Sequence, residues 1–263
     1  MKLVSDIFTI AEKELKLQLR FKFPFFTSSF ITPLIRITPF FMVYAGFFYF
    51  GAEALGEVTR TNFVVFLTLG MLADVIFNIG YEAFHTKFMQ EKYWGTIESI
   101  FLAPVHRVSL ILGVGLAEVV RGLPSTAIFL IICYLIIPVN IANFGVILLT
   151  FLMAYVFILS VGIIYGSAAL FNESFLPIFE YLRVAWVFFS CFYFPIEVIP
   201  EILKPWALIN PIYQANVVIR GLWISGVMHW QPFIYLLLLA ILAPLLAILI
   251  FNKLWKELTI QGY

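Results

Sequence analysis

Six apolar runs of about twenty residues or more follow one another along this chain, and no other feature limits its fold so sharply. They fall at roughly 25–50, 61–85, 108–137, 144–171, 175–196 and 232–252. A helix needs about 20 apolar residues to cross ~30 Å of hydrocarbon. A membrane β-barrel would show segments of about 10 residues with alternating polarity, and these runs do not alternate. Charged residues make up 12% of the chain, about half the ~25% of an ordinary globular domain. The expected fold is all-α and integral to the membrane, with six transmembrane helices in a single domain over residues 1–263.

The polar stretches between the runs set the expected layout. Residues 3–22 read as an amphipathic helix: Val4, Ile7, Phe8, Ala11 and Leu15 recur at helical spacing, against a basic side of Lys13, Lys16, Arg20 and Lys22. Such a helix is expected to lie in the headgroup plane. A charged, amphipathic segment ahead of the first run is the wrong order for a cleavable signal. With the N-terminus inside, ten Lys and Arg (2, 13, 16, 20, 22, 87, 92, 107, 253 and 256) fall on one side and three (60, 204 and 220) on the other. The excess predicts that both termini and the 86–107 loop are cytoplasmic, in a multi-pass protein of the cell membrane. The 197–231 stretch is then external, and Pro200, Pro205 and Pro211 prevent it from forming one straight helix.

Most catalytic chemistry is absent from the pattern. Gly51 and Gly56 have the spacing of a phosphate loop, but Glu57 stands where that loop needs lysine. His85, His106 and His229 are scattered, with no metal-ligand spacing. Cys133 and Cys191 lie inside apolar runs and read as packing residues. A net charge of +1 gives no reason to expect nucleic acid as a partner. Asn172-Glu173-Ser174 matches a glycosylation sequon, but on the cytoplasmic side, where it would be fortuitous.

Ionisable residues at membrane depth carry more information. Arg36 and Asp74 fall near the middles of the first two runs, and antiparallel helices would bring them to one level. Asp74, Asn78 and Glu82 recur every fourth residue, on one helix face. Glu118 with Arg121, and Glu180 with Arg183, are i,i+3 pairs. An unpaired charge at this depth costs at least about 2.5–3.5 kcal/mol. Mutual neutralisation is the preferred reading; a polar substrate path or a proton relay is the other. Gly162 and Gly166 form a small-xxx-small step that lets helices approach closely. Aromatic residues crowd the outer half of the first run (Phe40, Phe41, Tyr44, Phe47, Phe48 and Tyr49), as a lipid-facing surface or a wall for an amphipathic substrate.

Three segments carry a family resemblance. The polar insert runs Glu91-x-x-x-Gly95-Thr96-Ile97-Glu98, then Pro104 and Arg107, then Leu112-Gly113. The fifth run closes on Phe189-Ser190-Cys191-Phe192-Tyr193-Phe194-Pro195, followed by Ile199-Pro200. The external stretch contains Leu208-Ile209-Asn210-Pro211-Ile212-Tyr213, then Arg220-Gly221. In this order the chain resembles the permeases of type-2 ABC exporters. The resemblance implies the membrane subunit of an ATP-driven exporter, with no covalent chemistry and no cofactor on this chain. ATP and Mg would be bound by two copies of a separate ATPase, and a second copy of the chain would complete the pore within the bilayer.

By the same resemblance, Glu91, Gly95, Thr96, Glu98, Pro104 and Arg107 form a cytoplasmic coupling helix over 86–107 that touches the ATPase, Thr96 capping it and Pro104 ending it. Residues 197–221, with Pro195, Pro200, Trp206, Asn210 and Pro211, form re-entrant helices at the outer mouth. The first run opens on Arg20-Phe21-Lys22-Phe23-Pro24, closer to drug, antibiotic and lipid exporters than to polysaccharide exporters. An amphipathic substrate is therefore expected, with polysaccharide as the alternative. An ion-coupled secondary transporter using Asp74, Glu82 or Glu118 is a third class, which would need no ATPase-docking insert.

Overall fold

In the computed structural model, residues 2–96, 99–100 and 105–260 are described, without the side chains of Lys2, Arg107 and residues 255–260. The chain runs through α1 (Lys2–Leu19), α2 (Lys22–Phe26), a π-helical turn (Thr27–Ile31), α3 (Thr32–Tyr49), a hairpin of β1 (Ala54–Leu55) and β2 (Val58–Thr59), and α4 (Phe63–Tyr93). It continues with α5 (Arg107–Ile136), α6 (Ile141–Phe171), α7 (Leu176–Phe189), α8 (Lys204–Ile209), α9 (Pro211–Arg220), a second π-helical turn (Gly221–Ser225) and α10 (Trp230–Ile260). Five stretches among the described residues are long and apolar enough to cross a membrane: Lys22–Tyr49, Phe63–Tyr93, Val108–Ile136, Ile141–Phe171 and Trp230–Leu254.

Where the sequence suggested a span over 175–196, the helix is α7 alone, 14 residues long and about 21 Å at 1.5 Å per residue. The helix stops ahead of Pro195, which offers no N–H to the Cys191 carbonyl, and side chains take the acceptors just past its end. Asn216 donates to the Ser190 carbonyl (2.9 Å) and Arg220 to those of Cys191 (3.0 Å) and Phe192 (2.6 Å). Cys191 adopts a positive φ of 51° there. The path still tracks α4 over much of its length. Lys92 pairs with Glu173 at one end (2.6 Å), Tyr81 donates to the Phe179 carbonyl (2.7 Å), and Tyr193 reaches Asp74 (2.8 Å).

Helices α4 and α6 form the core. About two thirds of the apolar stretch of α4 is buried, against 11% for the first and last spans. Their contact is a glycine seam. A Cβ on Gly162 would collide with the Gly80 carbonyl, and one on Gly166 would lie 2.9 Å from the His85 nitrogen. The small-xxx-small step in the sequence is thus the place where two backbones touch, leaving dispersion and close fit to hold the pair. Phe66, Phe77, Tyr81, Tyr165 and Phe192 fill the space above and below it.

The π-helical turn in the first span has a local cause. Pro33 offers no N–H to the Ser29 carbonyl, and its ring crowds that carbonyl. Hydroxyls then satisfy neighbouring carbonyls: Thr27 donates to Phe23 and Pro24 (both 3.0 Å), and Thr32 to Thr27 (3.1 Å).

Helix α1 packs one face against α5 and the foot of α4. Ala11 and Glu14 are buried, and a Cβ on Gly113 of α5 would press 2.7 Å from Ile10. Val4 and Phe8, from the same apolar stripe, face outward and are more than half exposed.

Candidate functional site

At the foot of α4, the polar segment is built differently from a single coupling helix carrying Glu91, Gly95 and Thr96. Helix α4 runs on to Tyr93 and so contains Glu91. Gly95 then takes φ +69°, its N–H bonding to the Lys92 carbonyl (3.1 Å), while the Thr96 N–H bonds to that of Glu91 (3.0 Å). This is the left-handed glycine stop that closes many helices. The next turn starts at Thr96, whose carbonyl accepts from Ile100 N–H (3.2 Å). Glycine's freedom at positive φ makes the corner and separates Glu91 from the turn that begins at Thr96.

Glu91 is only 3% exposed, so it presents no tip to a partner. Its carboxylate accepts from the Thr96 hydroxyl, and from Lys13 at 3.1 Å. Lys87 lies 3.7 Å away and pairs with buried Glu14 of α1, which Lys13 also approaches (3.6 Å). The network fixes α1, the foot of α4 and the start of the polar segment in one arrangement. Glu98 and Pro104 lie outside the described residues; Arg107 opens α5, its side chain likewise outside.

The mid-membrane charges meet as their spacing suggested. Arg36 stands 3.5 Å from Asp74, whose carboxylate also accepts from Tyr193 and from Asn78 (both 2.8 Å). Asn78 accepts in turn from Arg183 (3.1 Å), which pairs with Glu82 (3.0 Å) and Glu180 (2.9 Å). Tyr165 donates to Glu180 at 3.2 Å. A polar line therefore runs from Arg36 on α3 along one face of α4 to Glu180 on α7. The line is not sealed: the side chains of Arg36, Glu82 and Glu180 are 49%, 47% and 44% exposed. Glu118 and Arg121 pair separately at 2.7 Å, and Gln18 of α1 donates to Glu118 (2.5 Å).

At the opposite end of α4 the chain breaks at Asn210, between α8 and α9. The Asn210 side chain caps α9, accepting from Ile212 N–H (2.9 Å), while Pro211 holds the first helical position. The same amide bonds to Trp186 and Ser190 of the α7 path. Helix α9 thus starts beside Trp186 and ends at Arg220. Arg220 is 3% exposed, with its guanidinium centred 3.5 Å over the Phe66 ring. Pro195 leads into a 3₁₀ turn (Ile196–Val198), and Pro200 accepts from Leu203 N–H (2.9 Å) in the next turn. Trp206, Leu208 and Ile209 are more than half exposed and present an apolar outer surface.

Sequence reasoning missed Glu14, Lys87 and Arg220 as organising residues. Glu14 and Gln18 carried a signal, since they continue the inward face of Ile7 and Ala11 at helical spacing. Arg220 read as one external charge among three and as the close of the third family-like segment, not as a residue that organises the fold.

The family described as ABC-2 type transporter matches residues 5–224 of the chain. A search of curated proteins returned no match.

Proposed function

Because the chain belongs to the ABC-2 type transporter family, as a permease membrane subunit, we propose that it is half of the membrane pore of an ATP-driven exporter. Two copies enclose the path, and two copies of a separate ATPase dock on the side of the 86–107 segment. The observation that supports this most is the half-exposed polar line through Arg36, Glu82 and Glu180. Charges at membrane depth do not face lipid; they face water or protein. A second copy over the open face of α3 and α7 would give them that environment and place them along a path. Both termini are then cytoplasmic, as the ten-to-three excess of Lys and Arg favours. Helix α7 and its unwound extension complete a sixth crossing. The segment from Pro195 to Arg220 dips into the outer half and returns as a gate. The carbonyls of Trp186 and Ser190–Phe192 beside it are acceptable at that depth because Asn210, Asn216 and Arg220 satisfy them internally. The substrate class that best suits walls combining aromatic residues with a line of charges is an amphiphile moved out of the cytoplasm or the inner leaflet.

The test is co-purification. The tagged chain, extracted in mild detergent from its native host, should bring down an ATPase subunit in equal amount, and the pair should hydrolyse ATP. Recovery of a folded chain with no ATPase, together with transport that survives ATP depletion, would overturn the proposal. Single cysteines at Tyr93 and Trp94, both exposed, should label only from the cytoplasm.

A further inference from the structure

A cleft of about 540 Å³ lies between α1, the α1–α2 turn, α4 and α5, and reaches Glu82, the partner of Arg183. Its size is within the ~300–1,000 Å³ of small-molecule sites. One part of its wall is apolar: Leu17, Phe21, Phe25 and Ile79. Phe21, at the rim, is 61% exposed, so the cleft opens sideways toward the apolar outside of the helices. The rest is polar, and its charges are of both signs. Glu118, 8% exposed, is held by Arg121 and Gln18.

Three buried atoms here make no hydrogen bond, the Gln18 Oε1 acceptor, the Arg121 Nε donor and Glu118 Oε2, the last held only by its ion pair with Arg121. Arg20, also on the wall, has no carboxylate within ion-pair distance among the described residues. A buried polar atom without a partner is costly, so the cleft calls for an occupant that supplies both a donor and an anionic acceptor. A second cavity of about 180 Å³ shares Ser28, Ile79, Glu82 and Arg121 with the first and extends it to Arg36 and Asn78.

We propose that this cleft binds the headgroup of a zwitterionic amphiphile carrying a primary ammonium and a phosphate diester, entering sideways from the adjoining leaflet. The ammonium donates to Gln18 Oε1 beside the Glu118 carboxylate. The phosphate accepts from Arg121 Nε and pairs with Arg20. The acyl chains leave past Phe21 and Phe25 into the bilayer. A purely anionic head would find Glu118 and Glu82 repulsive, and a quaternary ammonium has no N–H for Gln18. This deepens the exporter reading by naming a headgroup class and the place where it is first held.

The test uses the purified permease alone, so its outcome is independent of any ATPase. Native mass spectrometry after exchange into mixed micelles would compare phosphatidylethanolamine, phosphatidylcholine and phosphatidylglycerol of matched chains. The ethanolamine lipid should be retained at least tenfold over the other two. Gln18→Met and Arg20→Gln should each reduce that preference at least threefold; Arg20→Gln should do so without lowering the unfolding temperature, whereas Gln18→Met also removes a donor from buried Glu118 and should lower it by a few degrees. A preference below threefold in the wild type, or one unchanged in both variants, overturns the proposal. Co-reconstitution with the ATPase then separates the two sources of the same chemistry. ATP-dependent movement of the lipid marks it as cargo, and retention without movement marks it as a resident; either supports the site.

Discussion

Replacing Asp74 by asparagine tests the charge line at its best-defined point. The Asp74 side chain is 6% exposed and that of Arg36 49%. One carboxylate oxygen accepts from Asn78 (2.8 Å), the other from Tyr193 (2.8 Å) and, at long range, from Arg36 (3.5 Å). An amide turns one of these oxygens into a donor. Facing Asn78, it opposes an N–H that cannot turn away without releasing Arg183. Facing Tyr193, it forces the hydroxyl to reverse and meets the guanidinium as a second donor. Either arrangement loses one hydrogen bond to a charged group, about 1.5–3 kcal/mol.

Breaking a fully buried pair costs about 3–5 kcal/mol, but half-exposed Arg36 can relax, so about 2–3 kcal/mol is expected. At about 2–4 °C per kcal/mol for a chain near this size, thermal unfolding in nanodiscs should fall by roughly 5–10 °C. Arg36→Gln removes only a long contact from an exposed partner and should cost under about 1 kcal/mol. The double variant should recover about 1 kcal/mol of the Asp74→Asn loss. If Arg36→Gln proves as damaging as Asp74→Asn, or the double variant recovers nothing, Asp74 is not held as the counter-charge of Arg36.

Gly162→Ala should destabilise by about 1–3 kcal/mol through overpacking, because the added methyl meets the Gly80 backbone; Gly145→Ala, with nothing within 4 Å, should be neutral or slightly stabilising in the same unfolding assay. Gly95→Ala meets no neighbour either, but a side chain at φ +69° costs about 1–2 kcal/mol. The unfolding temperature should therefore fall by roughly 2–8 °C, transport-coupled ATP hydrolysis should fall several-fold, and Gly95→Asn should retain more of both. Arg220→Lys keeps a charge but loses the fork that reaches the Cys191 and Phe192 carbonyls together. Cys191, fully buried, should then react with a maleimide that leaves it untouched in the wild type, while Cys133 stays protected in both.

Much of the helical layout was legible because lipid allows so few backbone solutions. The Arg36–Asp74 pair was legible for a related reason: two charges at one depth have few alternatives. What periodicity could not show was where a helix stops for tertiary reasons. Pro195 signals a stop nearby, since it offers no N–H to the Cys191 carbonyl; the path taken from Ser190 is set by Asn216 and Arg220, more than twenty residues on, which claim its carbonyls. The polar insert misled differently. Gly95-Thr96 reads equally well as the start of a helix and as the stop of the one before. The structure uses both, so Glu91 belongs to the membrane helix and is spent on Lys13 and Thr96.

These particulars bear on how force could cross the chain. The α4–α6 seam has backbone against backbone at Gly80–Gly162, and close-packed contacts of that kind have no slack to slide. Elsewhere α4 packs through side chains, as Phe63 does on Phe41 and Phe48 of α3 and Ile79 beside Gly122 of α5, and single polar links add to that packing. Lys92 to Glu173 holds α4 to the turn before α7, Arg36 to Asp74 holds it to α3, and Thr96 to Glu91 holds it to the polar segment. A push on the segment after Gly95 therefore reaches α4 and α6 as one body. Their upper end meets the outer segment at Gly70, where a Cβ would collide with the Phe192 carbonyl that Arg220 caps. On the proposed exporter reading, motion at the foot is delivered to the outer segment without passing through the exposed spans. Those spans, 11% buried in this chain alone, remain free to shift against lipid or a second copy.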